Sequence, residues 1–320
     1  MSDPRPSAPL LADAGLAVLA TLPRRREGRA WLVEWRHEQG QLRQTVLAPD
    51  AALERISGDI AWLHGFLSRL SPTGFPAPRP LPAFGGRSWT ITDRSLWQLV
   101  SFLPGHIVGW AAAPSMTEVG VLLARYHAAV SALEPVTQRP AALSLSAVPD
   151  LLLSGQVEAA GVAKDRAAAI ANLAAELAAD LTEVGNTAIG QLIIHGDFTC
   201  HNVIATGTPP VAAGVIDFEL AHVESPLADI GYGLWRSGRP GQDAIDLDAT
   251  RVRQFVRGYT SVRALSAEQA RMIPVYLRSR GLQMIAKRVR AGRPETGMLA
   301  EVAWLSAHKD AVAETFAAAR

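Results

Sequence analysis

The spacing of apolar residues along the chain changes character several times, and each change predicts an element. Trp31, Val33 and Trp35 alternate with Leu32 and Glu34, and Val46-Leu47 follows the polar stretch Glu38-Gln39-Gly40-Gln41. This predicts an antiparallel hairpin over residues 30–48 with its turn at Glu38–Gln41. From Ala51 to Leu70 the period becomes helical on Ile56, Ile60, Leu63 and Leu67, and Ser71-Pro72-Thr73-Gly74 stops it. Alternate prolines between Phe75 and Pro82 remove backbone donors and fix φ, so that stretch is an extended connector. Two more strands are expected over Ser88–Thr92 and Leu96–Phe102, ending at Leu103-Pro104-Gly105.

Beyond that point the period is mostly helical. Ser115 with Glu118 three residues later is a capping box, followed by Val119, Leu122, Leu123, Tyr126 and Val130 on one face. A second helix is expected over Lys164–Val184. Short apolar runs between Gln191 and Phe218 read as buried strands, and from about Ala244 helices resume, one opened by Ser266 with Gln269. The pattern predicts an α+β protein: a β-rich N-terminal lobe with one helix over residues 1–103, then a mostly helical C-terminal lobe with a small β insert over 104–320.

Composition narrows the function. Of 320 residues 31 are basic and 30 acidic, a formal charge of +1, which is no footprint for gripping nucleic-acid phosphates. An apolar fraction of 48% excludes disorder as the main state, and this length is near the limit of one core. Cys200 is the sole cysteine, so neither an internal disulfide nor a cysteine-built zinc site is available, and a reducing, cytoplasmic setting is expected. The first apolar run, Ala14–Leu22, is shorter than the ~20 residues that cross a bilayer, so no membrane partner is expected.

The candidate chemistry lies in His195-Gly196-Asp197-Phe198-Thr199-Cys200-His201-Asn202, followed by Ile216-Asp217-Phe218. An Asp on a loop after a buried strand, an Asn five residues on and an Asp closing the next strand place two carboxylates and an amide around one cavity. Such oxygen donors suit Mg²⁺ sharing its shell with substrate phosphates. The first Asp is then free to orient a hydroxyl and take its proton. Taken singly, Asp197 and Asp217 read as turn or capping carboxylates; their joint spacing with Asn202 makes them candidates. His195, His127 and His201 read as hydrogen-bonded core imidazoles, Cys200 as a small buried hydrophobe, and Asp229 as a structural acceptor.

This arrangement resembles the aminoglycoside phosphotransferase and choline kinase family, which has a bilobal protein-kinase-like fold. Leu122–His127 is similar to the family's helix ending in Leu-His, Leu99–Gly105 to its hinge, and Ser225–Gly231 to the stretch where a further Asp braces the catalytic loop. The resemblance covers about residues 28–310. It implies a small-molecule kinase that moves the γ-phosphoryl of ATP or GTP, with Mg²⁺, to a hydroxyl of a small acceptor, which in the family is an aminoglycoside, choline, homoserine or a sugar. Asp197 becomes the base, Asn202 and Asp217 the metal ligands, and His195 a residue that orients the loop. Ser101 and Leu103 would offer backbone groups to the nucleotide base, and Gly28, Arg26 and Arg29 would lie at the phosphate-covering turn.

Two positions depart from the family pattern. Ala48 stands where the family carries a phosphate-pairing Lys or Arg, and Asp59 stands at the place of its Glu partner. The chain's three lysines, Lys164, Lys287 and Lys309, all lie in the second half, and Arg43 is an odd number of residues from Ala48, on the other face of its strand. Either Arg26, Arg29 or Arg79 meets the phosphates, or nucleotide binding is weakened or lost and the chain is a catalytically silent binder of a small molecule or protein. The basic run Arg278, Arg280, Lys287, Arg288, Arg290 and Arg293 reads as a solvated face. Lining an acceptor pocket, it would repel polycations; Glu219, Glu224, Asp243, Asp246 and Asp248 are the opposing acidic candidates, and the pattern alone does not choose between them.

Overall fold

The alternation of Trp31, Val33 and Trp35 is realised in a five-stranded antiparallel sheet of order β1-β2-β3-β5-β4. Our computed structural model describes residues 6–22, 29–47, 51–108, 115–133, 137–139, 145, 147–185, 190–241, 243–290 and 298–320. Gly28, Arg26, Ala48 and Arg293 lie outside these, as do the side chains of Arg29 and Arg290. The chain divides into two units, Met1–Pro104 and Gly105–Arg320.

The first unit comprises α1 (Ala8–Ala14), β1 (Leu16–Thr21), β2 (Arg29–Trp35), β3 (Glu38–Val46), α2 (Leu53–Leu70), β4 (Trp89–Thr92) and β5 (Ser95–Ser101). Period-2 burial fills one face of the sheet: Trp31 on β2 lies opposite Leu42 on β3, which lies opposite Leu99 on β5. Trp31 stacks on Trp97 with ring centroids 5.7 Å apart. Leu10, Leu16, Val33, Trp35 and Leu81 complete this core, each buried large side chain contributing roughly 1.5–3 kcal/mol. β5 is buried on both faces, Leu96, Gln98 and Val100 alternating with Trp97 and Leu99. On α2, Ile60, Leu63, Phe66, Leu67 and Leu70 are buried, and His64 ties the helix to β5 by bonding Gln98 Oε1 at 3.2 Å.

The hairpin turn is not where the polar stretch predicts it. Trp35 pairs with Glu38, so Glu38–Gln41 is strand and the turn is the two-residue Arg36-His37, with φ of 50° and 67°. A two-residue hairpin that matches strand twist needs positive φ at both central positions, and here neither is a glycine. Asp93-Arg94 connects β4 to β5 in the same way, with φ of 47° and 54°.

The second unit holds β6 (His106–Ile107), α3 (Met116–Ser131), α4 (Ala147–Leu153), α5 (Gln156–Ala159), α6 (Lys164–Gly185), β7 (Leu192–Ile194), β8 (Val203–Thr206), β9 (Val211–Val215) and β10 (His222–Glu224). It ends with α7 (Pro226–Ser237), α8 (Ala249–Thr260), α9 (Ala267–Arg290), α10 (Met298–Ala307) and α11 (Lys309–Ala319). The strands form two small antiparallel pieces, β7 with β10 and β6-β8-β9. α3 packs on α8, and α9 runs against α6, α7, α10 and α11. The predicted capping box at α9 forms, Ser266 and Gln269 exchanging two bonds of 3.0 Å, while at α3 the Ser115 hydroxyl accepts the Glu118 amide at 3.4 Å as a simple cap. No helix among the described residues is long and apolar enough to cross a membrane.

Candidate active site

The loop after β7 begins where the backbone turns sharply. Gly196 has φ +76°, and a Cβ there would collide with the Leu220 carbonyl, so the position accepts only glycine without displacing its neighbour. The two peptide N–H groups at this bend need acceptors, and both find the same carboxylate. His195 N donates to Asp229 Oδ2 at 2.6 Å and Gly196 N to Asp229 Oδ1 at 2.8 Å. Asp229 lies in the first turn of α7, which Ser225 caps through the Leu227 amide. It is wholly buried, as is His127 of α3, whose Nε2 is 3.2 Å from Asp229 Oδ2 and whose Nδ1 is 2.9 Å from the Tyr259 hydroxyl of α8.

Burial lowers the His127 pKa. The partners assign the neutral tautomer: Nε2–H donates to Asp229, and Nδ1 accepts from Tyr259. Burial alone would raise the Asp229 carboxyl. Its hydrogen bonds with His127 and the His195 peptide, together with the electrostatic pull of those two residues, outweigh burial and hold it below the ordinary carboxylate range. Three helices thus converge on one anion that fixes the loop.

His195 is fully buried and binds backbone at both ring nitrogens. Nε2 donates to the Ile216 carbonyl at 3.0 Å, and Nδ1 accepts the Asp197 N–H at 3.2 Å. Its ring lies 4.6 Å from Phe218 and edge-on to Tyr126 and Phe198. With both nitrogens occupied, His195 holds the loop against the end of β9 and positions rather than reacts.

Asp197 is 8% exposed. Asn202 donates Nδ2 to the Asp197 carbonyl at 2.9 Å and to Oδ2 at 3.3 Å. With its NH₂ group given to Asp197, the amide oxygen is the atom left to meet a cation. Asn202 closes the 3₁₀ turn Cys200–Asn202, and its carbonyl accepts the Ile216 N–H at 2.9 Å. Val203 pairs with Val215, so the same ladder extended by one step brings Asn202 and the Ile216-Asp217 peptide to one end of the β8–β9 hairpin. Asp217 is half-buried with φ +70° and ψ 55°. A left-handed non-glycine residue costs about 1–2 kcal/mol, and such strain collects where side-chain direction matters. The donors, one carboxylate and one amide oxygen, fit a hard divalent cation that keeps waters and phosphate oxygens in its shell.

The other expectations fare unevenly. Cys200 is fully buried and burial raises its thiol pKa, so it is the small hydrophobe expected. His201, expected in the core, is exposed, because it sits on the outer side of the 3₁₀ turn. Asp248 caps α8 by accepting from the Thr250 and Arg251 amides. Ser101 ends β5, and its N–H is committed to the Arg79 carbonyl at 2.7 Å, which leaves Leu103 as the next residue with a backbone N–H to offer, since Phe102 N donates to Gln39. Arg79 spends its guanidinium on both oxygens of Glu38 at 2.7 Å. Arg29 is on β2; Gly28, Arg26 and Ala48 lie outside the described residues.

The basic run is not uniformly a solvated face: Arg288 is exposed and Lys287 half-buried, but the first two members are buried. Arg278 is 2% exposed and pairs with Glu176 and Asp180 of α6, and Arg280 is 5% exposed. Helix α9 packs against α6, α7, α10 and α11, so Arg278 and Arg280 face protein while Glu268, Arg271 and Arg288 face solvent. Arg280 Nη2 bonds Asp197 Oδ1 at 2.6 Å, Nη1 bonds Gln283 Oε1 at 2.8 Å, and the guanidinium carbon lies 5.0 Å from the centre of the Tyr232 ring of α7. The sequence reading named this residue in the basic run and left open whether that run lines an acceptor pocket, but did not foresee its contact with Asp197. Its one signal was the setting Tyr276-Leu277-Arg278-Ser279-Arg280-Gly281-Leu282, where cations lie between apolar residues.

Solved structures with a similar course of chain define a protein-kinase-like fold. A microcompartment-associated aminopropanol kinase has a TM-score of 0.63 at 19% identity, covering 93% of this chain and 91% of that one. A thermostable mutant of aminoglycoside phosphotransferase APH(4)-Ia, in a ternary complex with AMP-PNP and hygromycin B, has a TM-score of 0.62 at 16% identity, covering 96% and 97%. In sequence, the homoserine kinase of Sinorhizobium medicae (strain WSM419) is 29% identical over 233 residues, 72% of this chain and 68% of that protein. The homoserine kinase of Acidiphilium cryptum (strain JF-5) is 27% identical over 239 residues, 72% and 69%. Residues 18–265 match the phosphotransferase enzyme family, and the chain belongs to that family. It is a phosphotransferase of the small-molecule kinase type.

Proposed function

We propose that this chain transfers the γ-phosphoryl group of ATP or GTP to a hydroxyl of a small acceptor, with Mg²⁺. The observation that carries this reading is the Asp197 carboxylate, held on a loop that Asp229 and His195 fix to α3, α7, α8 and β9, with the oxygen donors of Asn202 and Asp217 next in the chain. Asp197 orients the acceptor hydroxyl and takes its proton as the new O–P bond forms; a base in this role needs contact of about 2.6–3.2 Å with that oxygen. Asn202 Oδ1 and the Asp217 carboxylate hold the cation. When bound, Mg²⁺ neutralises charge on the phosphate oxygens. The Leu103 peptide is the donor we assign to the nucleotide base. Little covalent chemistry is asked of the protein, so positioning and charge supply most of the rate.

Thermal unfolding tests the nucleotide site. ATP or GTP at ~100 times its dissociation constant adds about 2.7 kcal/mol, which raises the midpoint by several degrees and should do so only with Mg²⁺. Asp197→Asn should keep that shift and lose phosphoryl transfer, whereas Asp217→Ala should lose the metal-dependent shift itself. A folded protein that shifts with no nucleotide would instead be the silent binder that Ala48 suggests.

A further inference from the structure

The Arg280–Asp197 pair is expensive. Burying a guanidinium costs desolvation that one carboxylate does not fully repay. A guanidinium carries five N–H donors in a planar fork suited to a carboxylate. Among the described residues its hydrogen-bond partners are Asp197 and Gln283. Through its bond to Asp197, Arg280 is within roughly 8 Å of any hydroxyl hydrogen-bonded to that carboxylate, which is the reach of a molecule of four or five heavy atoms.

One further polar atom, Nε2 of His222, has no hydrogen-bond partner among the described residues; the Tyr232 ring underlies Arg280, with its hydroxyl beside Ser279. Both residues are more than nine-tenths buried. His222 Nδ1 donates to the Leu220 carbonyl at 2.7 Å, so Nε2 is an unfilled acceptor, and Arg280 is near enough for its charge to act on that ring. Orphaned buried polar atoms are rare without a function. A buried cation with unspent donors beside the candidate base matches the carboxylate and hydroxyl of a small hydroxylated acid.

We infer that Arg280 is a specificity-determining residue that anchors the carboxylate of the phosphoryl acceptor, so that the preferred substrates are small hydroxylated acids rather than amino alcohols or polycationic sugars. The inference rests on the phosphotransferase reading for the role of Asp197. In the acceptor-free enzyme Arg280 leans on Asp197; an acceptor carboxylate takes up the remaining donors of the fork and Asp197 meets the hydroxyl.

Two probes differ only by the carboxyl group: L-homoserine and 3-amino-1-propanol. Their dissociation constants are measured by calorimetry on the full-length protein with Mg²⁺ and a non-hydrolysable ATP analogue, and turnover is measured separately with ATP. The wild type should bind L-homoserine at least 100-fold more tightly than 3-amino-1-propanol. Arg280→Gln should collapse that ratio to within about fivefold, and Arg280→Lys, which keeps charge but not the fork, should fall between. If Arg280→Gln does not fold, the lysine variant decides, and its ratio must drop at least tenfold. An unchanged ratio in a folded variant, a wild type indifferent to the carboxyl, or no binding of either probe at tens of millimolar overturns the inference. Preferential binding of L-homoserine without turnover would support the anchor and refute the phosphotransferase reading; turnover of 3-amino-1-propanol as efficient as that of L-homoserine would do the reverse.

Discussion

Asp197, the base we propose, is also held by its neighbours through both carboxylate oxygens and its carbonyl. Oδ1 pairs with buried Arg280, while Oδ2 and the carbonyl accept from Asn202. Asp197→Ala orphans a cation that is 5% exposed, which costs about 3–5 kcal/mol of stability in addition to activity. Arg280→Leu in that background should restore part of the loss, so a double-mutant cycle by denaturant unfolding gives a coupling of at least 1 kcal/mol; additive effects would deny the pair. Asp229 makes a different prediction. Asp229→Asn cannot accept from both loop amides through two oxygens, so kcat should fall by roughly ten- to a hundredfold with nucleotide affinity nearly kept, because the loop is held less firmly. Asp197, Asn202 and Asp217 were legible from spacing because a tight loop and a strand end put them near one another locally. Arg280 was not, since 83 residues separate it from Asp197.

Among the elements, those set by local periodicity or capping follow the sequence closely. Helix α2 and strand β5 coincide with the expected runs to within two residues, as does α6. Ser266→Ala should remove one side of the α9 capping box and cost about 1 kcal/mol in thermal unfolding without changing turnover, since Ser266 is exposed and bonds only Gln269. Elements that depend on partners escaped notice: β6 and β10 are two- and three-residue strands that exist because β8 and β7 lie beside them. The first hairpin turn was misplaced for a related reason. Arg36-His37 has none of the Asn-Gly chemistry that marks such turns; pairing along β2 and β3 holds it there.

Across the whole chain, acid should weaken the fold through buried neutral histidines. His64 is 5% exposed, and burial lowers its pKa from 6.5 to about 4 against the opposing Gln98 hydrogen bond; its Nδ1 is 2.6 Å from Ser88 Oγ. Between those two values the unfolded chain binds the proton and the folded one does not, so stability rises with pH. The contribution of His64, about 3 kcal/mol, is present above pH 6.5 and is lost as pH falls towards 4. His127 and His222, also lowered by burial, act with the same sign. The thermal midpoint of the wild type should therefore drop steeply from pH 6.5 to 4, and His64→Gln should flatten that drop.

By itself the sequence determined the α+β class, the sites of the long helices and central strands, and that Asp197 and Asn202 share the loop after a buried strand while Asp217 follows the next hairpin. Each of these rests on residues a few positions apart, where backbone geometry converts spacing directly into a shared face or a shared loop. Only the tertiary structure decided that Asp229, His127 and Tyr259 form one bracing chain, that Arg278 and Arg280 of the basic run on α9 are buried, and that Arg280 meets the candidate base. Those contacts join helices distant in sequence, and their burial turns charges that would be idle in water into groups that must be paired.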